Sequence, residues 1–221
     1  MMRQTVVFMA MVWVGWWGGA LPSWAQATSA GHAAADVPAR YQEALASPAL
    51  ADSLLRQGRR VAAVCAHCHG EGGNSLKLDV PNLAGQNPAY LLEQLRQFAQ
   101  GQRRNVFMEG MIKVMSVDER VGMVLFYAQQ AVQRRPVSQP SLAAKGQQYY
   151  QRVCFRCHGT DGHGNEQLAR IAGQQPDYLT TTLKRYRSAN GVRVNSAMTA
   201  NTQAMTDADI EAVVAYVGSM E

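Results

Sequence analysis

Two short stretches hold all four cysteines of the chain, and both have the same design. Cys65-Ala66-His67-Cys68-His69-Gly70 is answered by Cys154-Phe155-Arg156-Cys157-His158-Gly159. Two cysteines three apart, followed at once by histidine, form the attachment pattern of c-type haem. The reason is geometric. Each thiol adds to one vinyl group of the porphyrin, and the adjacent imidazole then projects onto the iron from the proximal side. Three rival chemistries also use paired cysteines. Zinc sites place their two pairs about 15–20 residues apart, whereas positions 69–153 lie between Cys68 and Cys154. A thioredoxin-like redox pair belongs beside a parallel-sheet pattern, which is missing here. Two unrelated structural disulfides would suit a secreted chain, yet they give no reason for a histidine behind each pair. The haem reading uses every cysteine: Cys65 and Cys68 for one group, Cys154 and Cys157 for a second, with His69 and His158 as proximal ligands.

A sixth iron ligand must come from elsewhere. Of the other histidines, His67 lies inside the first motif, His163 in a glycine-flanked turn and His32 near the N-terminus. All three read as solvated surface groups. Methionine is a common axial partner and raises haem potential. Met108, Met111, Met115, Met123, Met198, Met205 and Met220 are the candidates, and most must be ordinary core residues.

An internal repeat selects among them. Ala84-Gly85-Gln86-Asn87-Pro88-Ala89-Tyr90-Leu91 recurs as Ala172-Gly173-Gln174-Gln175-Pro176-Asp177-Tyr178-Leu179, and Met115-Ser116-Val117-Asp118-Glu119 is answered by Met205-Thr206-Asp207-Ala208-Asp209. In this register Met111 faces Asn201 and Met123 faces Val213. Met115 and Met205 stand just before a helix cap, where an apolar staple residue is expected. Met108 and Met198 match each other in a loop ahead of the last helix, and so form the best axial pair.

The elements that position these residues read as all-helical. A helix runs into each cysteine motif. A middle helix carries Leu91, Leu92, Leu95 and Phe98 in the first half, and Leu179, Leu183 and Tyr186 in the second, spaced to share one face. A last helix begins at Ser116 or Thr206, with a capping box at Ser116–Glu119 and a weaker one at Thr206–Asp209. The organisation is a signal peptide over 1–25, an N-terminal extension over 26–57, a first domain over 58–133, a linker over 134–141 and a second domain over 142–221. Arg3, the apolar run from Val6 to Leu21 and Ser23-Trp24-Ala25 carry the signal-peptide reading. Helical spacing in 41–57 has no counterpart in the second half. It predicts a helix packed on the first domain rather than a docking element.

Composition agrees with a small globular protein that needs a large apolar ligand. Hydrophobic residues make up 47% of the chain and charged residues 17%, which excludes disorder, but aromatics make up only 8%. The +5 formal charge is scattered, which argues against nucleic-acid binding.

These residues resemble the cytochrome c4 family of tandem class I cytochrome c domains. The likeness spans about residues 58–221. It rests on the two haem motifs, on Pro81-Asn82-Leu83-Ala84-Gly85-Gln86 with Tyr90-Leu91, on Phe98-x-x-Gly101-x-Arg103, and on the methionine ahead of a Ser/Thr-capped helix. It implies two His/Met-ligated haems, His69 with Met108 and His158 with Met198, in a periplasmic carrier. The expected partners are redox proteins such as a terminal oxidase, a cytochrome bc complex or a dehydrogenase, and peripheral contact with a membrane is compatible with this. The family pattern places a proline carbonyl on the proximal imidazole. Pro81 fits that role, and Ala169 stands at its place in the second half. An alternative is the dihaem subunit of a larger dehydrogenase. A haem enzyme would need an open iron position, and two axial methionines leave none.

Overall fold

The computed structural model describes residues 37–133 and 139–220. The signal-peptide reading of 1–25, His32 and most of the 134–141 linker therefore lie outside the described residues. Within them the fold is all-helical, as expected, with ten α-helices, and the one pairing of extended backbone is an isolated bridge between Arg103 and Arg193.

Short polar signals set the helix starts. Ser47 caps the helix Pro48–His69 (α2), its hydroxyl accepting the Leu50 N–H, and the shorter Val37–Ala46 (α1) precedes it. Proline occupies the first turn of Pro88–Ala99 (α3), where its missing N–H costs nothing. Val106–Val114 (α4) starts at Asn105, and Val117–Ala128 (α5) at the Ser116–Glu119 capping box. The second half repeats the pattern in Pro140–Arg152 (α6), Phe155–His158 (α7), Pro176–Ser188 (α8), Ser196–Thr202 (α9) and Asp207–Ser219 (α10). The Thr206–Asp209 box forms in full, with hydrogen bonds in both directions.

Two differences from the sequence reading stand out. The helix entering the first motif is continuous through His69, while its counterpart breaks at Val153 between α6 and α7. The boundary drawn at 57/58 thus falls inside α2. The methionine segments are also short helices rather than loops, because Asn105 and Asn195 each satisfy a first-turn N–H.

In each half the first and last helices cross at a point without room for a side chain. A Cβ on Gly58 would stand 1.9 Å from the Gly122 carbonyl oxygen, and one on Gly146 would stand 1.9 Å from that of Ala212. This contact lets α2 pack on α5 and α6 on α10. One core gathers around Leu91, Leu95, Phe98, Ile112, Val124 and Tyr127, the other around Tyr150, Leu179, Ile210, Val213 and Val217. The N-terminal extension adds a third small core, in which Val37 and Ala44 pack with Leu54 and Val121. Arg40 also grips Asp118 through two hydrogen bonds of 2.7 and 3.1 Å. Helix α1 is therefore packed on the first half.

The halves face each other about an approximate twofold relation. Gln86 clasps the backbone of Arg170, accepting its N–H (2.7 Å) and donating to its carbonyl (2.8 Å). Gln174 does the same to Asn82, at 2.7 and 3.0 Å. The Asn82 side chain donates to the Gly173 carbonyl, and Arg104 N–H donates to the Val192 carbonyl.

Candidate haem sites

Both cysteine motifs sit at a helix end, and the glycine that follows has a φ of 75° at Gly70 and 77° at Gly159. A left-handed turn suits glycine, and here it stops the helix directly after the histidine. All four thiols are free. Cys65 packs against the first core and Cys154 against the second. Burial pushes the Cys65 thiol up, and pushes that of Cys154 up to about 11.

The proximal imidazoles are held alike. His69 Nδ1 lies 2.8 Å from the Pro81 carbonyl oxygen, and His158 Nδ1 lies 3.0 Å from that of Ala169. A carbonyl only accepts, so Nδ1 carries the proton and Nε2 is the lone-pair nitrogen. Burial also drives both rings toward the neutral form, against the pull of the carbonyl hydrogen bond. A neutral imidazole with its far nitrogen anchored is the form that ligates a metal.

Met108 and Met198 are half-buried in the first turns of α4 and α9, where Asn105 and Asn195 accept their backbone N–H groups at 3.0 and 2.9 Å. Met108 packs against the same core as Cys65. Met123 is an ordinary core residue, Met205 is buried ahead of the Thr206 cap, and Met115 packs at the equivalent place. His67 is exposed and its ring contacts its own helix at Val64, while His163 pairs with Asp161.

The surroundings fit a large flat apolar group. Large apolar side chains stand bare on the segments that carry the candidate ligands: Val64 beside Cys65, Leu76 at 88% exposure, Val106 at 87% and Phe107 at 66% before Met108, and Val194 before Met198. Such exposure is costly in water, and a haem lying among these segments would remove it.

In the sequence the Ala-Gly-Gln-x-Pro-x-Tyr-Leu repeat serves as a register mark and as a point of family likeness. Its glutamines and tyrosines do more. Gln86 and Gln174 make the clasps, and Tyr90 and Tyr178 receive arginine hydrogen bonds between the halves. The doubled glutamine and tyrosine were the available signal. Burial raises the Tyr178 phenol, but Arg193 and Arg103 outweigh it and bring the group down to about 7.

A family model described as cytochrome c matches residues 143–221. The chain is 32% identical over 185 residues to cytochrome c4 of Thiocapsa roseopersicina, covering 78% of this chain and 94% of that protein. It is 31% identical over 172 residues to the thiosulfate dehydrogenase electron acceptor of Thiomonas intermedia, covering 72% and 79%. Its structure resembles that of reduced recombinant cytochrome c4 from Pseudomonas stutzeri, with a TM-score of 0.69, 28% identity, and coverage of 74% and 97%.

Proposed function

The chain belongs to the cytochrome c4 family, and from that premise we propose that it is a periplasmic carrier with two covalent haems, one tethered at Cys65 and Cys68 and the other at Cys154 and Cys157. The axial pairs are His69 with Met108 and His158 with Met198. Cytochromes c4 are electron carriers, not enzymes. A bound c-type haem supplies a one-electron couple, tuned by its axial ligands and by the hydrogen bonds around them.

The chain's own residues do the rest. Carbonyls 81 and 169 orient the imidazoles, and the asparagine caps fix the helices from which the methionines project. The glutamine clasps hold the two cores at a set separation, which favours passage of an electron from one half to the other. The observation that carries this reading is the duplicated set of Cys-x-x-Cys-His, anchored imidazole and capped methionine. Residues 1–25 read as an export signal, and among the described residues no helix is long and apolar enough to cross a membrane.

The donor and acceptor we expect are redox proteins such as a terminal oxidase, a cytochrome bc complex or a dehydrogenase. A second reading, the dihaem subunit of a larger dehydrogenase, is favoured by the likeness to a thiosulfate dehydrogenase electron acceptor. Co-purification with a catalytic subunit distinguishes it.

Intact mass of the mature holoprotein should exceed that of the polypeptide by two haems. Met108→Ala and Met198→Ala should each remove one haem's methionine–iron absorption band and admit carbon monoxide. A mass increment of one haem, or loss of the band on Met111→Ala but not on Met108→Ala, refutes the assignment.

A further inference from the structure

Arg120 stands where a core residue belongs. In the register of the repeat it answers Ile210, which is fully buried. Arg120 itself is only 8% exposed. Its Nη2 donates to the Ile112 carbonyl (2.7 Å), and its Nε is buried without a partner. Burial pulls the guanidinium down from its ordinary pKa, and among the described residues no carboxylate offsets that. Taking an unpaired charge out of water costs several kcal/mol, and the second half shows that an aliphatic side chain fills the same place. The arginine needs a reason other than packing.

The bond it makes supplies one. Ile112 lies one helical turn beyond Met108 on α4, so the two side chains share a face, and Ile112 is a member of the core that Met108 packs against. Helix α4 has nine residues, and a helix that short does not hold itself in water. Asn105 secures its first turn at the Met108 N–H. The last four carbonyls of a helix have no partner within it, and that of Ile112 is one of them. It accepts the Met115 N–H through a long bond of 3.3 Å, and Arg120 at 2.7 Å. A cation is the favoured donor at a helix C-terminus. Helix α4 is thus pinned at one end by its own cap and at the other by α5.

The second half fastens its methionine helix differently. Thr202 answers Ile112 and is buried. Its hydroxyl donates to the Met198 carbonyl (2.8 Å) and to that of Thr199 (3.3 Å). At this pair of matching positions each half has one polar and one aliphatic residue, and the halves exchange which: Ile112 with Arg120, Thr202 with Ile210. Helix α9 is tied to itself, while α4 is tied to another helix through a charged group.

We propose that Arg120 is a positioning residue for Met108, holding α4 from α5 and so keeping the methionine sulfur in place for the first haem. The proposal rests on the reading of His69 with Met108 as the first axial pair. An added ligand reaches that iron only when Met108 leaves it and α4 shifts, and the Arg120 bond opposes the shift.

The test uses holoprotein shown by intact mass to carry two haems, in a Met198→Ala background, where the methionine–iron absorption band comes from the first haem alone. Absence of the band from this parent refutes the axial reading, and the proposal with it. Imidazole is then titrated against the band. Adding Arg120→Ile, which copies the second half, should lower the imidazole concentration that abolishes the band by about tenfold or more, the scale of a lost hydrogen bond to a charged group. Adding Ile112→Thr as well completes the second-half arrangement and should recover most of the loss. In a Met108→Ala background, where the band reports the second haem, Arg120→Ile should leave the titration unchanged. If Arg120→Ile does not load both haems, Arg120→Gln, which keeps an amide donor without the charge, carries the same expectation. An unchanged titration at the first haem, an equal change at both haems, or no recovery with Ile112→Thr would overturn the proposal.

Discussion

Replacing Gln174 with leucine keeps the side-chain bulk and removes the clasp. Three hydrogen bonds go. The Asn82 N–H (2.7 Å) and Gln175 N–H (2.9 Å) lose their shared acceptor, and the Asn82 carbonyl (3.0 Å) loses its donor. Asn82 and Gln175 are both buried, Gln175 almost completely. A buried polar group left without a partner costs roughly 1–3 kcal/mol. Taking the lower end for all three gives a loss of about 3 kcal/mol. For a chain of this size that corresponds to a fall of roughly 6–12 °C in the melting temperature. The mirror change at Gln86 is the control. It removes bonds to the Arg170 N–H, the Asn87 N–H and the Arg170 carbonyl. Arg170 and Asn87 are only half-buried, so water can replace the lost partners. Gln86→Leu should therefore cost clearly less, although the number of bonds is the same. Calorimetry of the two holoproteins decides the matter. If Gln174→Leu melts within about 2 °C of the wild type, or if the two variants are equal, the interface is not held by buried polar pairing and the reasoning from burial is wrong.

Gly146→Val should prevent stable folding, since a Cβ there already lies 1.9 Å from the Ala212 carbonyl oxygen and the crossing has no flexible side chain to yield; recovery of a helical, haem-loaded variant in normal yield would contradict this. Acid stability follows from carboxylates whose protonation is disfavoured in the fold: Asp207 by Arg187, Asp209 by Thr206 and Glu93 by Arg96. Their folded values lie below the unfolded ones, so their contribution is complete above the ordinary carboxylate range and is lost as pH falls through the lowered values. The melting temperature should be level from neutrality down to about pH 5 and should drop below about pH 4, and a melting temperature that rises on acidification would refute the assignment.

The readable parts of this protein were those written twice. The cysteine motifs, the Ser116 and Thr206 caps and the Tyr-Leu helices all recur at matching positions, and each has a local cause that survives in any fold. Three features did not show, two because their causes are long-range and one because a single local cap decides it. Gly58 and Gly146 look like weak points in helices until the partner helix is placed across them. Arg193 looks like one of many scattered basic residues, and Arg103 like part of a motif with no stated task, until Tyr178 is found between them. The segments holding Met108 and Met198 look like loops because they are short, and only the Asn105 and Asn195 caps make them helical. The extension was half readable: its apolar spacing foretold packing, while the Arg40–Asp118 pair that fastens it joins residues far apart in the chain.

The repeat also conceals an exchange. Tyr127 on α5 stands where the second half has Val217, and Tyr150 on α6 stands where the first half has Val61. Each half thus places one large buried tyrosine beside its cysteine motif, but from opposite helices. Both form an edge-to-face aromatic pair, Tyr127 with Phe126 at 5.2 Å and Tyr150 with Tyr216 at 5.4 Å. The volumes balance and the polar ends do not. The Tyr150 hydroxyl donates to the Gly159 carbonyl at 2.6 Å, directly behind His158, whereas the Tyr127 hydroxyl is buried beside the Cys65 thiol and reaches no carbonyl. The carbonyl behind His69, that of Gly70, accepts the Gly73 N–H at 3.0 Å, whereas that of Gly159 accepts the matching Gly162 N–H at 3.5 Å in addition to the phenol. With Pro81 replaced by Ala169 as well, two cores of the same plan surround their proximal histidines with different dipoles. Such dipoles bear on a haem iron through its ligand, so the duplication preserved the packing and separated the two electrostatic environments.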